Sequence, residues 1–166
     1  PTAGQMPRLL GLAHASTIFK HVKFEGSERL SNNGREVAFG TIGDASTAEG
    51  HFWETLNAAC ALQTPMILSI WDDGYGISVP THDQRAKEDM AEMLSGFQRK
   101  EGKKEGCEII QVKAWDYPAL IDAYARAEHF AREESIPVVV HVQEVTQPQG
   151  HATSGSHERY KSEERV

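Results

Sequence analysis

Residues 43–78 read GDASTAEGHFWETLNAACALQTPMILSIWDDGYGIS, and the organisation of the whole chain follows from this stretch. The apolar run Val37-Ala38-Phe39-Gly40-Thr41-Ile42 leads into an acidic turn at Gly43-Asp44. A helix-like stretch follows from Thr47 to about Gln63, with Thr47 and Gly50 forming an imperfect capping box. A second apolar run, Met66-Ile67-Leu68-Ser69-Ile70-Trp71, ends in a second acidic turn, Asp72-Asp73-Gly74-Tyr75. Short continuous apolar runs bounded by turn residues are strands buried on both faces. Two such strands joined by one crossover lie side by side in a parallel sheet. Both acidic turns are therefore expected at its carboxyl edge, where open α/β sheets bind ligands. Paired carboxylates with backbone carbonyls are the donors of a hard cation, and a hard cation in that position usually holds a phosphate group.

Outward from this core the alternation continues. Pro7 to about Val22 carries a helical stripe opened by a first-turn proline, and residues 25–35 are a turn-rich connection. Residues 74–85 read as an irregular loop, Ala86–Phe97 as a helix and Cys107–Ala114 as a strand. Tyr117–Glu134 reads as a long amphipathic helix and Ile136–Val145 as a last strand. This order predicts an α/β fold, a doubly wound parallel sheet, in a single domain over 1–166. Residues 146–166 are expected to be a partly mobile tail. An opening without an initiator Met and a highly charged end give the chain the look of a fragment of a longer protein.

A formal charge of −7 argues against nucleic acid or an anionic membrane as a partner. The densest basic patch, Arg99-Lys100 with Lys103-Lys104, is interrupted by Glu101 and Glu105 and reads as a solvated loop. No apolar run approaches the ~20 residues of a membrane span. Cys60 and Cys107 form no CxxC pair and suit a reducing compartment, so a cytoplasmic location is expected.

The segment 43–78 resembles the thiamine-diphosphate motif of 2-oxo acid dehydrogenases, in the α-type half of the E1 component. That motif opens on Gly-Asp-Gly and closes on Asn-Asn, and the interval from Asp44 to Asp73 falls within the family's spacing. Glu49-Gly50, Phe52, Glu54, Asn57-Ala58-Ala59, Pro65, Tyr75 and Ile77-Ser78 agree with the same pattern in register. The resemblance implies the thiamine-diphosphate-binding fold with thiamine diphosphate and Mg²⁺ as cofactors. It implies Asp44, Asp73 and the carbonyl of Tyr75 as metal ligands, with Gly43, Asp44, Ala45, Ser46, Asp73, Tyr75 and His151 around the cofactor. Ala45 stands where the family has glycine, and Asp73 where it has the second asparagine. Asp keeps the ligand oxygen but adds a charge, worth about 3 kcal/mol of repulsion against a phosphate ~5 Å away at an effective dielectric of 20.

His151, in Gly150-His151-Ala152-Thr153-Ser154, matches the family's loop histidine. There it helps orient the diphosphate and the lipoyl-carrying partner, and it is the catalytic candidate. The upstream arginine of the family is replaced by Gln147 and Gln149, and Ser154 or Ser156 stands where some relatives are phosphorylated. His82 and His51 flank the acidic turns and read as exposed, while Phe52, Trp53 and Trp71 read as core. In such enzymes the cofactor attacks the keto carbon of a 2-oxo acid, CO₂ leaves and the acyl group passes to lipoamide. The implied partners are a β-type E1 half, fused or separate, the lipoyl domain of the E2 component, and further copies in a homo-oligomer. Within the resemblance, the 151–160 stretch HATSGSHERY looks more like the branched-chain or general 2-oxo acid members than the pyruvate ones. Two rival readings stand beside this one: a transketolase-like or other thiamine-diphosphate enzyme, and a non-catalytic α/β module whose acidic turns bind a cation or a protein.

Overall fold

A computed structural model of the chain describes residues 2–146, 150–151 and 155–162. In chain order its strands are β1 (Ala38–Gly43), β2 (Met66–Trp71), β3 (Tyr75–Gly76), β4 (Val79–Pro80), β5 (Glu108–Lys113) and β6 (Val138–Gln143). Four of them make one all-parallel sheet in the order β1-β2-β6-β5, while β3 and β4 form a separate antiparallel hairpin. The helices are α1 (Met6–His21), α2 (Gly50–Leu62), α3 (Met90–Leu94) and α4 (Tyr117–His129).

Alternation along the strands sorts the side chains onto two cores. Met66, Leu68 and Ile70 of β2 pack with Met6, Leu9, Phe52, Leu56, Met90 and Leu94, so α1, α2 and α3 cover one face. Ile67, with Ile110, Val112, Val138 and Val140, packs on Ala123 and Ala127 of α4 across the other. Burial on both faces accounts for the continuous apolar runs of the central strands β2 and β6. The edge strand β1, also expected to be buried on both faces, is covered on one only, with Ala38 and Ile42 buried and Phe39 53% exposed. Helices on the two faces of the sheet make the expected doubly wound α/β fold. Cys60 and Cys107 both lie in the first core as buried free thiols. Among the described residues no helix is long and apolar enough to cross a membrane.

Element boundaries move where local chemistry outcompetes periodicity. The capping box at Thr47 and Gly50 is not formed. The chain first makes a 3₁₀ turn over Ala45–Ala48, and α2 starts at Gly50 with Glu49 as its uncapped N-cap. The Thr47 hydroxyl, fully buried, instead donates to the Asp44 carbonyl at 2.5 Å. The helix expected from Ala86 begins only at Met90. There Asp89 acts as N-cap, its carboxylate accepting from the Ala91 amide at 2.8 Å, and the last residues tighten into a 3₁₀ turn over Ser95–Phe97. The stretch read as an irregular loop after Gly74 contains the β3–β4 hairpin and a 3₁₀ turn at Thr81–Asp83. At the other end of the chain, α4 runs on as a π-turn over Phe130–Glu134 and closes with Ser135 in the left-handed region. The expectation of a partly mobile tail falls in part on residues 147–149, 152–154 and 163–166. These, with Gln147, Gln149 and Ser154, lie outside the described residues.

Candidate functional site

The two acidic turns meet at the carboxyl edge of the sheet. The register Ile42↔Ile70 and Gly43↔Trp71 carries β1 and β2 to the same height, and the Asp44 amide donates to the Trp71 carbonyl at 3.1 Å. Gly74, at φ +79°, supplies the left-handed residue that turns the chain after Asp73. The Asp73 carboxylate folds over that turn and accepts from the Tyr75 amide at 3.2 Å.

A cavity of about 550 Å³ opens at this edge, within the range of small-molecule sites. Gly43, Asp44, Ala45, Ser46, Asp73, Tyr75 and His151 all line it, together with Thr41, Trp71, Ile77 and residues at the start of α1. The seven positions singled out in the sequence are thus brought to one place. Trp71, read as core, is instead 51% exposed and forms part of the wall, its indole N–H donating to Ser69 Oγ at 3.0 Å. His82 and His51 are exposed and are not among the lining residues; His82 lies near Asp83 and Glu88.

The electrostatics are those of a crowded acidic edge. Asp44 is 2% exposed and Asp73 6%. Burial, and next the charge of Asp72, push the Asp44 carboxyl up to about 7; Arg85 opposes this and Asp73 adds to it. Burial also acts to raise Asp72, but the hydrogen bond from His141 and the charge of Arg85 prevail and hold its carboxyl below the ordinary value. Arg85, itself buried, spans the two turns, with Nη2 3.7 Å from Asp44 Oδ2 and Nη1 3.7 Å from Asp72 Oδ2. His141 Nε2 lies 2.8 Å from Asp72 Oδ2, and the Thr81 hydroxyl donates to Asp44 Oδ2 at 3.4 Å. On the other flank Lys161 Nζ lies 3.3 Å from Asp73 Oδ2, and His151 Nδ1 lies 3.8 Å from the same oxygen.

The family model described as "Dehydrogenase E1 component" matches residues 1–166, the whole chain. The chain belongs to that family. It is 30% identical over 141 residues to 3-methyl-2-oxobutanoate dehydrogenase subunit alpha of Mycobacterium tuberculosis, covering 84% of this chain and 35% of that protein. It is also 30% identical over 122 residues to mitochondrial 2-oxoisovalerate dehydrogenase subunit alpha 2 of Arabidopsis thaliana, covering 73% of this chain and 24% of the relative. With the pyruvate dehydrogenase E1 component subunit alpha of Acholeplasma laidlawii it shares 32% identity over 105 residues, 63% of this chain and 28% of that subunit. The chain therefore spans about a third or less of the length of these curated relatives.

The side chains of this E1-family domain fit the cofactor that the family implies. Among the described residues, apart from its chain neighbours, an added Cβ at Gly43 would meet no atom within 4 Å, so packing does not require glycine there. Its absent side chain keeps the cavity wall clear for a close backbone approach. Ala45 is accommodated because Gly76 faces it; a Cβ on Gly76 would come within 2.7 Å of the Ala45 methyl. The Asp44 carboxylate is buried among other acids with Arg85 as its nearby cation, and a divalent cation would supply the positive charge it still lacks. Among the described residues no three His, Cys, Asp or Glu side chains gather as a metal cage. The donor set implied here is two carboxylates and a backbone carbonyl, the sparse protein contribution typical of phosphate-bound Mg²⁺.

Sequence reasoning missed Arg85, His141 and Lys161, the groups that balance these acids. Arg85 sits in a stretch read as irregular, His141 inside a strand, and Lys161 in the charged tail. Only the fold brings them to Asp72 and its neighbours. A buried-strand pattern interrupted by His141 was the one available signal.

Proposed function

We propose that this domain is the α-type cofactor-binding unit of a 2-oxo acid dehydrogenase E1 component, holding thiamine diphosphate through Mg²⁺. The observation that carries this reading is the single cavity at the carboxyl edge lined by both acidic turns and His151. Asp44, Asp73 and the Tyr75 carbonyl hold the cation. The backbone of Gly43, Ala45 and Ser46 borders the diphosphate, and His151 orients it from the rim. When bound, the cofactor supplies the nucleophilic carbon that decarboxylates the keto acid.

The chain's own residues anchor and balance charge. Asp44, Asp72 and Asp73 bring three negative charges to the edge, and Arg85 and Lys161 bring two positive ones within 4 Å of them. When all three acids are ionised, one negative charge remains, and Asp44, whose carboxyl is pushed up to about 7, is the acid least compensated. A divalent cation turns that to a net positive charge, which suits a diphosphate and makes anion binding depend on the metal. Arg85 pairs with Asp44 on one turn and Asp72 on the other, so it ties the two turns together before the cation arrives. Trp71 and Ile77 shield the cavity mouth with apolar surface.

The substrate is a 2-oxo acid, with the branched-chain class favoured by two of the three relatives described above. A β-type half completes the site, the lipoyl domain of an E2 component takes the acyl group, and the assembled enzyme is a homo-oligomer. Calorimetry on the full-length protein tests the anchoring role. Thiamine diphosphate is expected to bind with Mg²⁺ present and not in chelator. Equal binding in both, or none in either, refutes it.

A further inference from the structure

We propose that Lys161 is a positioning residue of the diphosphate site, acting through Asp73 as a built-in counter-charge that lets an acidic residue serve as a neutral oxygen ligand. This rests on the cofactor reading above and deepens it.

Lys161 is placed too deliberately for a tail lysine. Its side chain is 3% exposed, its Nζ lies 3.3 Å from Asp73 Oδ2, and it stands 5.1 Å over the centre of the Tyr75 ring. The backbone holds it there. The Lys161 amide donates to the His157 carbonyl at 2.8 Å, closing the 3₁₀ turn Ser156–Arg159. The Tyr160 ring packs 5.6 Å from that of Tyr75, whose hydroxyl donates to the Tyr160 carbonyl at 3.4 Å. An ammonium loses most of its hydration in such a place, and only a close anion offsets that loss.

Asp73 needs the same partner. Its Oδ1 accepts from the Tyr75 amide, and Oδ2 faces Lys161 and, at 3.8 Å, His151. An unscreened carboxylate at this position attracts a cation but repels the diphosphate which that cation is to hold. Paired with Lys161 it presents a ligand oxygen with almost no net charge. The pair thus does with two residues what asparagine does with one, at the cost of tying the 155–162 segment to the second acidic turn. A counter-charge and a simple structural brace differ in one respect. Losing the counter-charge moves cation affinity and anion affinity in opposite directions, whereas losing a brace weakens both.

The test uses the full-length protein and calorimetric titration with Mg²⁺ alone, then with inorganic pyrophosphate at saturating Mg²⁺. In K161M, Mg²⁺ is expected to bind several-fold more tightly and pyrophosphate about tenfold more weakly, the size of effect a single charge has at such a distance after solvent screening. K161R is expected to restore both affinities. The double variant D73N/K161M is expected to bind pyrophosphate within about threefold of wild type, since asparagine needs no counter-charge. D73N alone, which leaves the ammonium unopposed by Asp73, is expected to bind pyrophosphate more tightly and provides the reading if K161M does not fold. The proposal is overturned if both affinities fall together in K161M, if neither changes, or if the double variant is as weak as K161M. It is also overturned if D73N binds no better than wild type. Wild-type protein that binds neither probe sinks the cofactor reading itself, and this proposal with it.

Discussion

Replacing Gly43 by valine separates a ligand-binding role from a packing role at one atom's resolution. Gly43 is the last residue of β1, paired with Trp71, and its φ is not positive, so a β-branched residue fits the backbone. Among the described residues, and apart from its own chain neighbours, no atom lies within 4 Å of the Cβ that valine would carry. The added Cβ therefore meets no clash in the folded state, and the unfolded chain loses glycine's extra freedom, a gain of roughly 0.5–1 kcal/mol. For a domain of this size that is a rise in melting temperature of about 1–4 °C. The three added carbons project into the cavity that Asp44, Ala45 and Ser46 also line. A diphosphate brought close to this backbone would have to move by more than a van der Waals contact, costing at least tenfold in affinity, about 1.4 kcal/mol. The assay pairs thermal unfolding of the cation-free protein with calorimetric titration of thiamine diphosphate and Mg²⁺. Unchanged affinity would show that the cofactor does not pass over Gly43. A melting temperature lowered by several degrees would show that the glycine serves packing after all, and the reasoning from open space would be wrong.

Three further outcomes are expected. Asp44→Asn should stabilise the cation-free protein above pH 7 by roughly 1–4 kcal/mol while abolishing Mg²⁺-dependent cofactor binding. The folded-state pKa of about 7 stands above the ordinary value of 3.8, so this group's contribution to stability falls as pH rises between the two. Denaturant titrations across that range should show the slope flatten in the variant, and an unaltered slope would remove Asp44 as its source. Arg85→Met leaves Asp44 and Asp72 facing one another without their shared cation, and should cost roughly 3 kcal/mol by chemical denaturation; a change below 1 kcal/mol would mean the guanidinium is only a spectator. Ile77, β-branched and 64% exposed, sits at φ +59° in the β3–β4 turn, so Ile77→Gly should gain about 0.5–1 kcal/mol in the same measurement, and a loss would show that its side chain is held by contacts worth more than the strain.

The fold was legible because its signals are local. Met66–Trp71 is a strand within the bounds its sequence suggests, since five consecutive buried positions before the exposed Trp71 leave no other use for such a run. The neighbouring position of β2 beside β1 followed from one crossover between them. The boundaries that shifted did so where a side chain found a backbone partner that periodicity does not encode. Thr47 donates to the Asp44 carbonyl rather than capping α2, and the Asp89 N-cap starts α3 at Met90 instead of Ala86. Trp71 was misjudged for a related reason. A strand's last residue at a ligand-binding edge can be apolar without being buried, because the wall it builds faces the cavity.

The anionic half of the candidate site was legible and the cationic half was not, and this asymmetry has a physical cause. Asp44 and Asp73 sit in turns fixed by the strands before them, so their meeting is a consequence of topology alone. Arg85 reaches Asp44 across 41 positions of sequence and Lys161 reaches Asp73 across 88, each on a long flexible side chain whose direction no strand dictates. Yet the acids imply them. Three carboxylates at one buried edge cannot all ionise without counter-charges, and any cation supplied only by solvent would leave the folded protein unstable whenever that cation dissociated. Resident guanidinium and ammonium groups solve this for the cation-free state, and with both in place the remaining deficit is one charge at Asp44. Most of the charge at this edge is thus balanced by the chain's own residues while one acid stays short of a partner, which is the condition the proposed reversible Mg²⁺-dependent cofactor site has to meet.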